Sequence, residues 1–301
     1  MIEKKKSMKG VIRISIVAAI LMILPGSSLQ RIDYRKGMNN NVCKSLKDNV
    51  LVYYIFVDSQ ETTPWTEFDI KSTIDSLTLA IRWLENQART YGVSLNIIQD
   101  YYIGADYTTI KKPLPMGNVV NSLNIPGFAK GVKELNSWAD GIAKRAGITF
   151  NISEKDGIPE IKNPRNKERL VAYLRDEKQV ESVALLFMVN NYFKNDISVA
   201  LNNMGNEDVE FAILSYKYPS VIAHNILHLF GAADLYKSEF RRNERKIAMA
   251  GQFFPKDIMQ DNDFMNIKNF EIGEYTRYLV GWSPELNSRY ASLLLDKIVY
   301  F

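Results

Sequence analysis

The segment Val50 to Val57 is an unbroken apolar and aromatic run, and Ser182 to Val189 is a second run of the same kind. Runs of this length mark buried strands. The segments between and around them fix the fold class. From Thr66 a helix is expected, with Thr66 and Asp69 placed as a capping box. Its apolar stripe steps by four and three through Ile70, Ile74, Leu77, Ile81, Leu84 and Ala88. Gly92 ends it, and Val93 to Ile103 reads as a strand. Residues 105 to 126 carry Pro113, Pro115 and Pro126 and read as irregular. A second stripe through Phe128, Val132, Leu135, Ala139, Ile142 and Ala146 predicts another helix.

Beyond it, 147 to 164 reads as loop with a short strand at 148 to 152, and 165 to 179 as a charged helix. Ser198 to Leu201 is a candidate edge strand and Val209 to Tyr216 a further strand. Pro219 and Ser220 are placed to cap the next helix. Glu271 to Leu279 reads as helical, ending near Gly281 and Trp282. Strands alternating with helices imply an α/β fold: a twisted, mostly parallel sheet with crossover helices. A smaller, mainly irregular or helical C-terminal subdomain comes after it.

The chain has only two histidines. They stand four apart in Ala223-His224-Asn225-Ile226-Leu227-His228-Leu229-Phe230-Gly231-Ala232-Ala233-Asp234. Two randomly placed histidines would show that spacing with a chance of about 1 in 150, whereas a metal-binding helix requires it. Residues i and i+4 share one face of a helix, so their imidazoles can converge on one ion. Gly231 tolerates the left-handed backbone that ends a helix and turns the chain. Asp234 can then swing back as a third ligand, and zinc accepts that donor set.

His224-x-x-x-His228-x-x-Gly231-x-x-Asp234 resembles the extended zinc motif of the metzincin metallopeptidases, in the form whose third ligand is Asp, as in the snapalysin type. The resemblance implies an α+β zincin fold, Zn²⁺ as cofactor and a peptide or protein as substrate or ligand. It also implies a methionine turn, for which Asp257-Ile258-Met259 is suitably placed, Met259 following Asp234 by 25 residues. It is specific to the motif over residues 220 to 260 and topological over residues 50 to 219. The implied layout is one domain over 49–301, with an upper subdomain 49–231 and a lower one 232–301.

One position departs from the family pattern. Where a zinc peptidase has glutamate beside the first histidine, this chain has Asn225. Asparagine exchanges hydrogen bonds but cannot carry the proton that a general base takes from water. Three explanations stand: a natural substitution that leaves a binding protein, an introduced change that traps an inactive form, or a base supplied by another carboxylate. The helix fixes where a base must stand, which disfavours the last. Tyr236 and Tyr275 are candidate donors to an oxyanion, and Asp257 a candidate buttress for a ligand histidine. Lys237, Arg241, Arg242, Arg245 and Lys246 cluster after the third ligand and read first as a solvated helix face.

Charge excludes one class of partner. Five of the 38 basic and one of the 34 acidic residues fall within residues 1–30, leaving 33 of each, so no nucleic-acid footprint is expected. Those first residues read as a secretory signal: a basic stretch, an 11-residue apolar run from Ile14 to Leu24, then Pro25-Gly26-Ser27-Ser28. The run is short against the roughly 20 residues of a membrane span. A secreted or cell-envelope protein is the expectation. An uncleaved signal anchor is the alternative, and the only route to a membrane. Residues 31–48 read as a linker.

Overall fold

The computed structural model describes residues 46–103, 109–114, 128–155, 157–158, 161–190, 197–201, 209–238, 243–261 and 265–294. All of them belong to one compact unit. The expected export signal, most of the linker, and Arg241 and Arg242 of the basic cluster lie outside the described residues.

β1 (Asp48–Asp58) is the central strand. It pairs in parallel with β2 (Leu95–Tyr102) on one side and with β4 (Ser182–Val189) on the other. β3 (Ile110–Lys111) pairs with the end of β1, at Val57 and Asp58. β4 pairs in parallel with β6 (Phe211–Leu214), and β5 (Ser198–Leu201) closes the edge, antiparallel to β6. The order is β2-β1-β4-β6-β5, a mostly parallel sheet in a mixed α/β fold.

Alternation along β1 shows why its apolar run has no polar side. Val50, Val52, Tyr54 and Phe56 enter one core, while Leu51, Tyr53, Ile55 and Val57 enter another. Successive strand residues face opposite sides, so a sheet covered on both faces needs a continuous apolar sequence. On the first face lie α1 (Glu67–Thr90), α4 (Pro219–Leu229) and the C-terminal segment; on the second lie α2 (Phe128–Thr149) and α3 (Asn166–Lys178). α1 begins with the expected capping box of Thr66 and Asp69. α2 and α3 are joined through Asp140, which accepts from the Lys167 main-chain N–H at 3.0 Å and from Asn166 Nδ2 at 2.8 Å.

Several sequence expectations are corrected. No strand forms at 148 to 152. α2 runs on to Thr149, its end is closed by Ile152 N–H donating to Gly147 O, and Phe150 stacks on Tyr173. The apolar residues there cap a helix instead of lining a sheet. Ser220 does not cap α4: Tyr218 is the N-cap, Pro219 the first helical residue, and Ser220 donates to Met265 O. The helix expected from Glu271 starts at Glu274, as α6 (Glu274–Leu279), because Glu271 bridges to Asp257. α5 (Glu244–Phe253) carries Arg245 and Lys246 of the expected helix face and runs beyond them to Phe253. At the far end of the expected linker, Leu46 is already core, and its carbonyl accepts from Trp282 Nε1 at 2.6 Å.

Candidate metal centre

α4 is buried nearly all round, as a helix inside a core must be. His224 and His228 lie one turn apart on it, with ring centroids 4.5 Å apart and planes at 83°. The helix ends in a Schellman turn: Ala232 N–H donates to Leu227 O, and Gly231 N–H to His228 O. Gly231 has φ +97°, the left-handed backbone that this turn demands and that a side chain resists. The turn has two products. It brings the Ala232 carbonyl to 2.8 Å from His228 Nδ1, and it returns the chain so that Asp234 faces both histidines.

Asp234 Oδ1 lies 3.3 Å from His224 Nε2 and 3.0 Å from His228 Nε2. Each histidine is oriented from behind by a main-chain carbonyl: His224 Nδ1 stands 2.9 Å from Ile258 O, and His228 Nδ1 faces Ala232 O. A carbonyl only accepts, so both Nδ1 atoms carry the proton, and in the neutral rings both Nε2 atoms present lone pairs to the carboxylate. Asp234 Oδ1 is itself buried and receives no regular hydrogen bond. Two lone pairs and a carboxylate oxygen in contact repel one another unless a cation lies among them.

Electrostatics points the same way. Burial alone would raise the Asp234 carboxyl, but His228 and His224 outweigh it and hold it well below the usual carboxylate range. Burial pulls His228 down, yet the Asp234 charge beside it, with the Ala232 carbonyl, leaves it raised. A proton can be the cation; so can a metal. Zinc bonds of about 2.0–2.1 Å in a tetrahedral array set neighbouring donors roughly 3.3 Å apart. The 3.0 and 3.3 Å from Asp234 Oδ1 to the two Nε2 atoms fit that spacing. The donor set therefore suits a divalent ion, and the chain holds the second-sphere acceptors that metal-binding histidines use.

The segment 257–259 is joined to this centre by two main-chain carbonyls, those of Ile258 and Met259. Met259 is fully buried, and its carbonyl accepts from Leu235 N–H at 2.9 Å, next to Asp234. The Asp257 carboxylate does not buttress a histidine, which corrects the sequence expectation. It accepts from Met259 N–H at 2.8 Å, Gly273 N–H at 2.9 Å and Thr276 Oγ1 at 2.8 Å. Burial raises its pKa to about 6 against those hydrogen bonds. The buttress is the neighbouring main-chain carbonyl of Ile258.

Asn225 is buried, and its amide nitrogen donates to Ser198 Oγ on β5 at 2.9 Å and to Val221 O at 2.8 Å. Tyr236 tilts towards the centre, its ring 6.3 Å from that of His224. Tyr275 is a core residue, which corrects its placement as an oxyanion donor: it is fully buried and its hydroxyl donates to Leu293 O at 2.9 Å. Lys237 is exposed, and Lys246 Nζ donates to Leu294 O. A concavity of about 300 Å³ at the end of α2, lined by Ala143, Lys144, Gly147 and Glu154, includes none of His224, His228 and Asp234.

Sequence reasoning missed Ser198 and the carbonyls of Ala232 and Ile258. Ser198 had a signal only in its position on the edge strand. Main-chain acceptors have none.

No family model and no curated protein matches this chain.

Proposed function

We propose that the chain is a metzincin-like zincin that holds Zn²⁺ through His224, His228 and Asp234 and binds a peptide or protein with little or no hydrolysis. One observation carries the reading. Asp234 Oδ1 stands 3.3 and 3.0 Å from the two Nε2 atoms, all three donors lie within 4.8 Å of one another, and each imidazole is held through its other nitrogen by a main-chain carbonyl. The edge strand β5, joined to α4 through Ser198 and Asn225, and the buried Met259, whose carbonyl accepts from Leu235 N–H, also support it. Export rests on the pattern of residues 1–30 alone.

When bound, zinc supplies a Lewis acid that polarises a carbonyl and acidifies bound water. The surrounding residues determine whether that chemistry can run to hydrolysis. His224 and His228 offer Nε2, Asp234 offers the one anionic donor, and Tyr236 stands beside His224. Asn225 occupies the base position with its amide protons committed to Ser198 and Val221. It cannot accept a proton, and loss of a general base costs roughly 10²- to 10⁴-fold in rate.

Metal analysis tests the first half. One equivalent of zinc is expected in the purified chain and none in His228→Ala; a chain without stoichiometric zinc overturns the metal assignment. A peptide-library assay tests the second. Cleavage is expected from Asn225→Glu and not from the unaltered chain, and robust cleavage by the unaltered chain sinks the binding role.

A further inference from the structure

We infer that the metal-loaded site selects a carboxylate as its ligand, because position 225 is held neutral. This rests on the reading that the site carries a divalent ion. With each proton on Nδ1 and each Nε2 given to the ion, the two imidazoles would contribute no charge. Asp234 contributes one negative charge. Among the described residues no further Asp or Glu belongs to the cluster. The nearby buried carboxylate, Asp257, is committed to Met259, Gly273 and Thr276.

Counting these three donors alone, a divalent ion in this site would keep one positive charge. A glutamate at position 225 would have cancelled it. Asn225 does not, and its environment fits the amide: both its hydrogen bonds are donated, one of them to the Val221 carbonyl, which would repel a carboxylate. His224 and Asn225 are buried and Asp234 is largely so, which limits screening by water. An uncompensated charge in such surroundings favours an anionic ligand over a neutral one of the same shape. The chemistry selected is a carboxylate, from a chain terminus or from an acidic side chain.

The test uses the full chain loaded with cobalt(II), whose visible absorption reports a change of ligands. It is titrated with N-acetyl-leucine, N-acetyl-glutamic acid α-amide and N-acetyl-leucinamide. The two carboxylates are expected to alter the spectrum and to bind at least about tenfold tighter than the amide. The tighter of the two identifies a terminal or a side-chain source. Equal binding of all three overturns the inference while leaving the metal assignment standing. A chain that takes up no cobalt overturns both. Asn225→Glu is expected to shrink the preference to within about threefold, and an undiminished preference there refutes the role given to position 225. The comparison on the unaltered chain decides the main point if that variant fails to fold.

Discussion

Gly273→Ala places the most demanding test on the support beneath the histidines. A Cβ at position 273 would stand 2.6 Å from Asp257 Oδ2 and 2.8 Å from Phe254 Cδ1. Neither neighbour yields cheaply. Asp257 is held by three hydrogen bonds and Phe254 is packed in the core. Overpacking of this kind costs about 1–3 kcal/mol, and loosening one hydrogen bond to a buried carboxylate adds roughly 1–3 kcal/mol. A total of about 3 kcal/mol should lower Tm by roughly 6–12 °C in a domain of this size.

The displacement is expected to reach the candidate metal centre as well. Asp257 precedes Ile258, whose carbonyl orients His224, and disturbing such a partner weakens metal binding by roughly 10–100-fold. Thermal unfolding by circular dichroism, with and without chelator, measures the first effect. Zinc competition against a chromophoric chelator measures the second. Gly251→Ala is the control: it lies inside α5 with nothing within 4 Å of its added Cβ, and should stabilise by up to about 1 kcal/mol. A Gly273→Ala protein that melts within about 2 °C of the parent refutes the claim that residues 257 and 273 form a tight joint.

Two further outcomes concern buried polar groups. Tyr54 is fully buried, and among the described residues its hydroxyl has no hydrogen-bond partner. Tyr54→Phe should therefore be neutral or stabilising by up to about 1 kcal/mol in urea unfolding, and a loss above that order would expose a missed partner. Asp257 has a folded pKa raised to about 6 from 3.8. The folded state holds the extra proton between those values, so stability falls as pH rises from about 4 to about 6, by roughly 3 kcal/mol from this group. Urea midpoints at about pH 4.5 and about pH 7 should show that slope in the parent and lose it in Asp257→Asn; an equal slope in both excludes Asp257 as its source.

How much of this was legible in sequence differs by element. β4 and β5 were readable to the residue, because burial on both faces writes an unbroken apolar run and a short edge writes a short one. α5 was not, since it buries Ala250 alone and so carries no stripe. The donors could be read because helical periodicity places 224 beside 228, and because a glycine at 231 announces the turn that brings Asp234 back. The supports could not. Ile258 and Ala232 act through main-chain oxygens, which every residue possesses. Ser198 reaches Asn225 only through the folding of β5 against α4. Tyr275 misled because a tyrosine hydroxyl in the core and one at a site look alike in sequence.

The parallel pairing of β1 with β4 sets an order of events during synthesis. Val50 cannot find Ser182 until α1, β2, α2 and α3 have all been made, and such long-range pairing is slow. The histidines emerge later still, and the carbonyl that orients His224 belongs to Ile258, whose own N–H is held by Glu271 O. A nascent chain halted just after Asp234 would thus carry His224, His228 and Asp234 without the carbonyl that orients His224. The arrangement of the three side chains becomes a property of the nearly finished chain, after the sheet has closed, and stalled or truncated products lack it.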